Sequence, residues 1–200
     1  EKMRAQALLD EIEKAAQAFL RKYHFDNTLP IPIEEIIEFH LEIDIIPTPD
    51  MMDTTGVDAV TSHDLKQINI DRAQLESRPN RARFTLAHEV GHIVLHREFI
   101  ESQNFQNEKS WRKFVLNDLH RDPMEVQANM FAAFVLVPSD HLKREYELAK
   151  ADLAKHPAFK SKDLPAEKIL APYLAKSLAQ KFETSEEAMT NRLINWIQRK

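Results

Sequence analysis

The stretch Phe84-Thr85-Leu86-Ala87-His88-Glu89-Val90-Gly91-His92-Ile93-Val94-Leu95-His96 decides how the chain is read. Phe84, Ala87, Val90, Gly91, Val94 and Leu95 recur at helical spacing as one apolar stripe, so Pro79 to His96 is predicted as a helix. On it His88 and His92 stand one turn apart on one face, about 6 Å along the axis. Two imidazoles so placed can converge on one metal ion. Glu89 lies about 100° further round, beside such an ion, where a carboxylate can take a proton from water. The bare pattern also arises by chance, so its setting matters. Gly91 is one of only two glycines, and a glycine inside a helix costs about 1 kcal/mol relative to alanine. It is expected to mark the close approach of another helix or of a sheet. The competing reading is an amphipathic core helix whose histidines are surface or hydrogen-bonded residues.

Cysteine is absent, which excludes disulfides, thiolate zinc sites and a cysteine nucleophile and leaves His, Asp and Glu as strong metal ligands. A catalytic zinc takes three protein ligands and keeps one position open. His96 continues the series, but its Cα lies about 12 Å along the helix from that of His88. It is expected instead to respond to the helix-end dipole or to support a ligand. Asp118, His120 and Asp122 follow in a stretch without clear periodicity. Glu125 opens a further helix whose same face carries Ala128 and Ala132, small enough to let two helices approach. That favours Glu125, although the helix dipole alone explains an acid in a first turn. Spacing leaves all four open.

Working outward, Leu8, Leu9, Ile12, Ala15, Ala16, Phe19 and Leu20 predict a first helix over 3–24, and Ile33 to His40 a second. Three strand-like pieces follow: Leu41 to Pro47, Gly56 to Ser62 and Leu65 to Asp71. The last two read as a hairpin turning at His63-Asp64. Residues 97–123 are expected to hold a short helix or act as a lid. Met124 to Val137, stopped by Pro138, and Asp140 to Lys155 read as helices. Beyond Pro165 two helical patterns flank Phe182-Glu183-Thr184, with Thr184 and Glu187 as a capping box. The order is α+β: a small, mostly antiparallel sheet packed on the helix of His88, over residues 1–140, with a helical region over 141–200.

Net charge is −5, which argues against a nucleic-acid surface or an anionic membrane as the primary partner. Two glycines cannot build a phosphate-cradling loop. The start Glu1-Lys2-Met3-Arg4 lacks a signal-peptide core, and the longest apolar run, Met130 to Pro138, falls short of the roughly 20 residues of a membrane span. A cytoplasmic location is expected.

Arg83 to His96, together with Glu125-x-x-Ala128-Asn129-x-Phe131-Ala132-Ala133-x-x-Leu136-Val137-Pro138, resembles the ImmA/IrrE family of zincin-like metallopeptidases. The resemblance covers about residues 30–140 by order of elements, and the segment between its two motifs is long for that family. It implies a zincin-like core, His88, His92 and Glu125 as ligands of zinc (with manganese or iron as alternatives), and Glu89 as catalytic base. Zincins lay substrate along a sheet edge, here the strand after Gly56. Tyr23, Tyr146, Tyr173, His96 and His120 are eligible to stabilise an oxyanion. Members of the family often cut a DNA-binding repressor, so a protein or peptide substrate, above all a DNA-binding regulator, is expected. The rival is a metal-binding module that sequesters a partner without cutting it. A third reading gives Arg192, Arg199 and Lys200 to DNA, against a packed helical appendage held by Leu193 and Trp196.

Overall fold

The computed structural model describes residues 2–102, 110–111, 113–114, 123–156 and 164–199. It divides into two compact units, Glu1–Val135 and Leu136–Lys200.

The first unit opens with α1 (Lys2–Tyr23), whose buried face carries Ile12, Ala16 and Phe19. A short α2 (Ile33–Glu35) continues into a π-helical turn, Ile36–His40. Strand β1 (Asp44–Thr48) leads through α3 (Met51–Thr55) to β2 (Ala59–Thr61) and β3 (Gln67–Asp71). Then come α4 (Arg72–Ser77), α5 (Pro79–Ser102) and α6 (Pro123–Leu136). The architecture is α+β, with the sheet order β1-β3-β2.

β2 and β3 pair antiparallel, with Thr61 opposite Ile68, as the hairpin requires, but β1 and β3 are parallel, with Ile45 opposite Ile68. The expectation of a mostly antiparallel sheet is corrected to one pairing of each kind. The cause is connectivity: the chain passes through α3 and β2 before β3 enters the middle of the sheet. Ile68 and Ile70 are fully buried there, each worth about 2–3 kcal/mol of apolar burial. The hairpin loop is also longer than a turn centred on His63-Asp64. Ser62 still bonds Gln67 across the strands at 2.8 Å, and the Leu65 N–H closes back on the Ser62 carbonyl at 3.0 Å. Leu65 sits at φ 58°, a left-handed conformation usually left to glycine. Ser62 Oγ, donating to Asp64 and accepting from the Gln67 N–H, scaffolds the loop while Leu65 is buried.

Neither α3 nor α4 has a periodic signal in the sequence; one residue holds the first turns of both. Asp71, at the end of β3, accepts the Gln74 N–H as N-cap of α4 and the Met52 N–H of α3, each at 3.0 Å. Gly56 closes α3 at φ 77°, the left-handed position that suits glycine. α5 runs on past His96 to Ser102, and it is buried almost all round from Leu86 to Ile93. Val94, expected in its apolar stripe, is instead exposed.

The second unit holds α7 (Ser139–Lys155), α8 (Glu167–Phe182) and α9 (Glu186–Gln198). Tyr146 packs edge-on against Trp196, ring centroids 5.2 Å apart. Arg192 is buried, donating to the Val137 carbonyl and to Ser139 Oγ at 3.2 and 2.7 Å. It is therefore an internal strut and not a DNA contact; Lys200 lies outside the described residues. The cap of α9 falls one residue later than the sequence suggests: Ser185 Oγ accepts the Ala188 N–H. Glu183 takes the left-handed position between α8 and α9, and Thr184 N–H returns to the Ala179 carbonyl, as in a Schellman motif.

The two N–H groups that Asp71 accepts, from Met52 and then Gln74, hold its carboxyl below its ordinary value against the opposing effect of burial. Its contribution is therefore present above the unfolded pKa of about 4 and is lost as pH falls through the lower folded value. Asp71→Asn should lower the urea midpoint at pH 7, with the gap from wild type closing in acid. A gap that stays constant from neutral pH to below about pH 3 would contradict this role.

Candidate metal centre

Gly91 lies at the point where α5 meets α6. A Cβ there would stand 3.0 Å from Ala128 Cα, 3.1 Å from its carbonyl oxygen and 3.3 Å from its Cβ. Two of these are backbone atoms that cannot rotate away, so only glycine permits this approach. Ala128 and Ala132 are fully buried, and Phe131 beside them meets Phe19 of α1 edge-on at 5.7 Å. Glu125 precedes Ala128 by three residues and so shares its face. The approach carries that carboxylate to the histidines next to Gly91.

One nitrogen of His88, one of His92 and one oxygen of Glu125 lie within 4.8 Å of one another. Glu125 Oε1 is 3.0 Å from His92 Nε2, and Oε2 is 3.4 Å from His88 Nε2. The two Nε2 atoms are 3.0 Å apart. On their outer sides, His88 Nδ1 faces Asn129 Oδ1 at 3.0 Å and His92 Nδ1 faces His96 Nδ1 at 3.2 Å. A carbonyl oxygen only accepts, so Asn129 accepts a hydrogen bond from His88 Nδ1, and in the neutral ring this leaves Nε2 with its lone pair turned toward Glu125. This donor set, two imidazoles and a carboxylate, could hold zinc, iron or manganese.

The electrostatics agree. Burial raises the Glu125 carboxyl, yet hydrogen bonds and charge from His88 and His92 outweigh it and hold it well below the usual carboxylate range. Burial lowers His88, but the Glu125 hydrogen bond and the charges of Glu89 and Glu125 carry it above its ordinary value. The lowered carboxyl and the raised imidazole are two sides of one pairing, His88 with Glu125.

Glu89 stands outside this group. It is buried, and its Oε2 accepts two hydrogen bonds from Thr61, from N–H at 2.9 Å and from Oγ1 at 2.6 Å. Thr61 O in turn accepts Trp111 Nε1 at 2.7 Å. A cleft of about 340 Å³ opens beside the centre, bordered by Gly56, Ala59, Phe84, His88, Glu89 and Glu125. His96 is buried against His92 and lies outside the group of three. Asp118, His120 and Asp122 lie outside the described residues. Tyr23 packs on Phe19, and Tyr173 is exposed. Tyr146 is buried in its own unit, pushed up to about 12 by burial and then by Glu167 and Glu147. Sequence reasoning missed Thr61, Asn129 and Gln127 as partners of the site. Asn129, one turn beyond Glu125, was findable by spacing; Thr61, joined to Glu89 across the fold, carries no local signal.

This arrangement is that of a zincin-like metallopeptidase core: a His-Glu-x-x-His helix against a sheet edge, with a glutamate brought in by the next helix. The chain belongs to the Peptidase_M78 family, the IrrE N-terminal-like domain, whose model matches residues 40–193. Among solved structures it resembles a Mycobacterium tuberculosis transcriptional regulator at TM-score 0.52 and 15% identity, covering 90% of this chain and 45% of that one. At that identity the likeness is one of fold, and this chain spans less than half of the regulator's length. No curated protein matches. Among the described residues no helix is long and apolar enough to cross a membrane.

Gly91→Ala separates helix propensity from packing. Alanine gains about 1 kcal/mol as a helix former, but overpacking costs about 1–3 kcal/mol, and here the clash is with backbone. The melting temperature should fall, and any stabilisation by an added divalent ion at His88, His92 and Glu125 should shrink, read by calorimetry with and without the ion. A variant that melts higher than wild type would show that the two helices do not need this contact.

Proposed function

We propose that this chain is a metal-dependent endopeptidase, acting in the cytoplasm on a specific regulatory protein such as a DNA-binding repressor. The observation that carries the reading is the pairing of two separate elements. A three-residue ligand group lies at His88, His92 and Glu125, and a buried carboxylate, Glu89, is held beside it by Thr61. A purely structural metal site has no need of the second.

His88, His92 and Glu125 would hold the ion, zinc in the first instance, with manganese or iron as alternatives. Once bound, it supplies Lewis acidity at that point. Glu89 takes the proton of the attacking water and returns it to the leaving amine. Thr61, donating twice to Glu89 Oε2, leaves Oε1 free of that pair and fixes the plane of the carboxylate. Substrate enters along the edge of β2. Asp58 and Ser62 exchange hydrogen bonds with β3, so by alternation Ala59 and Thr61 turn their peptide groups outward. Thr61 is engaged by Glu89 and Trp111, which leaves Ala59, on the border of the cleft, to pair with a substrate strand. A regulatory substrate is in keeping with the resemblance to a transcriptional regulator of like fold, though that protein's role is its own.

The test compares new protein N-termini in cells expressing wild type, Glu89→Gln or Glu125→Ala, with metal content measured on each purified protein. Glu89→Gln should keep its metal and lose cleavage by about 10²-fold or more; Glu125→Ala should lose both. If Glu89→Gln keeps full biological effect with metal bound, the protein works by sequestering its partner and the peptidase reading fails.

A further inference from the structure

His96 is the third histidine of the motif helix, and the ligand group does not use it. It is buried, at 6% exposure, and both ring nitrogens are engaged: Nδ1 with His92 Nδ1 at 3.2 Å and Nε2 with Gln127 Oε1 at 3.1 Å. Gln127 lies on α6, two residues after Glu125. The chain Gln127–His96–His92 thus leads from one helix to the other and back to the metal centre.

Its polarity follows from donor and acceptor chemistry. The Gln127 carbonyl oxygen can only accept, so His96 carries its proton on Nε2. A neutral imidazole has one N–H, so His96 Nδ1 is an acceptor. The His92 nitrogen facing it must then be the donor, Nδ1–H, and His92 Nε2 is left with a bare lone pair directed at Glu125 and His88. In the neutral rings both Nε2 atoms and the Glu125 carboxylate then face one another as acceptors, a set that a cation between them would complete, and this is the tautomer that a metal ion requires of His92. On the other ligand, Asn129 Oδ1 imposes the same tautomer on His88 directly.

We propose that His96 and Gln127 are positioning residues for the metal centre: a two-member relay that fixes His92 as an Nδ1–H tautomer with Nε2 free to ligate. His96 does not touch the metal; it acts through His92. The relay rests on the reading of His88, His92 and Glu125 as ligands but not on peptidase activity. It also assigns α6 a second duty, since Glu125 supplies a ligand while Gln127, half a turn on, orients another.

The test uses the full chain and zinc alone. Zinc affinity is measured by competition with a chromophoric chelator for wild type, His96→Leu, His96→Gln, Gln127→Leu and His88→Ala. Histidine tautomers are read from ¹⁵N shifts in the zinc-loaded protein. His96→Leu should weaken zinc binding by about 10–100-fold, the range for loss of a ligand's supporting partner. His96→Gln, which offers a carbonyl acceptor in place of Nδ1, should recover most of it. Gln127→Leu, at a partly exposed position, tests the relay without emptying a buried site and should weaken binding in the same direction. In zinc-loaded wild type His96 should be neutral, protonated on Nε2 and bare on Nδ1. The proposal is overturned if His96→Leu and Gln127→Leu bind within about two-fold of wild type, or if His96 carries its proton on Nδ1. If wild type binds no tighter than His88→Ala, the ligand assignment itself is wrong, which is a separate failure.

Discussion

The contact between Gly91 and Ala128 governs this site. Helix axes usually pass 8–10 Å apart, and side chains at the crossing set that distance. Here the crossing has a hydrogen on one helix and a methyl group on the other, so backbone meets backbone. Everything at the centre depends on it. Glu125 reaches His88 and His92, Asn129 reaches the back of His88, and Gln127 reaches His96 only because α6 lies directly on α5. One glycine in a helix otherwise free of it brings three polar side chains of one helix to three histidines of another. The local cost in helix propensity is about 1 kcal/mol, small against the hydrogen bonds and apolar burial it makes possible.

Around this contact the first unit is tied by a few buried polar residues that each serve two elements. Arg83 on α5 reaches the Ile31 carbonyl at 2.6 Å and Glu34 at 2.9 Å, fixing the motif helix to the segment before and within α2. Asp71 joins β3 to the first turns of α3 and α4. Thr61 joins β2 to Glu89 and Trp111. Buried charge and hydroxyl are costly unless partnered, and here the partners, backbone and carboxylate groups alike, belong to separate segments. The burial that stabilises the unit therefore also sets the angles between its parts.

Much of this was legible in the chain. The periodic helices appear close to where their apolar spacing puts them, because a helix that buries one face writes that face into the sequence. The motif helix and the helix of Glu125 were readable for that reason, and Gly91 announced a close approach before its partner was known. What was not legible has a common cause. α3 and α4 are five and six residues long, too short to show a period, and the Asp71 that holds the start of α3 lies 19 positions away in sequence. The parallel pairing of β1 depends on which strand takes the centre of the sheet. Leu65 adopts a glycine-like conformation because Ser62 and Asp64 scaffold the loop. Thr61 in a short strand looks like any β-branched strand residue; its meaning comes from Glu89, which lies 28 positions away in sequence.

The outer edge of β2 has a further consequence. A strand with unpaired outward peptide groups is a template on which another chain can add itself, and proteins ordinarily blunt such edges with charge, proline or a covering segment. Here the strand is three residues long, and one of its two outward positions is saturated by a buried carboxylate and an indole. Among the described residues what remains outward is the single position of Ala59, too short to nucleate a growing sheet. The carboxylate of Glu89 and the indole of Trp111, in occupying the outward peptide groups of Thr61, thus also guard that position against unwanted strand-to-strand association.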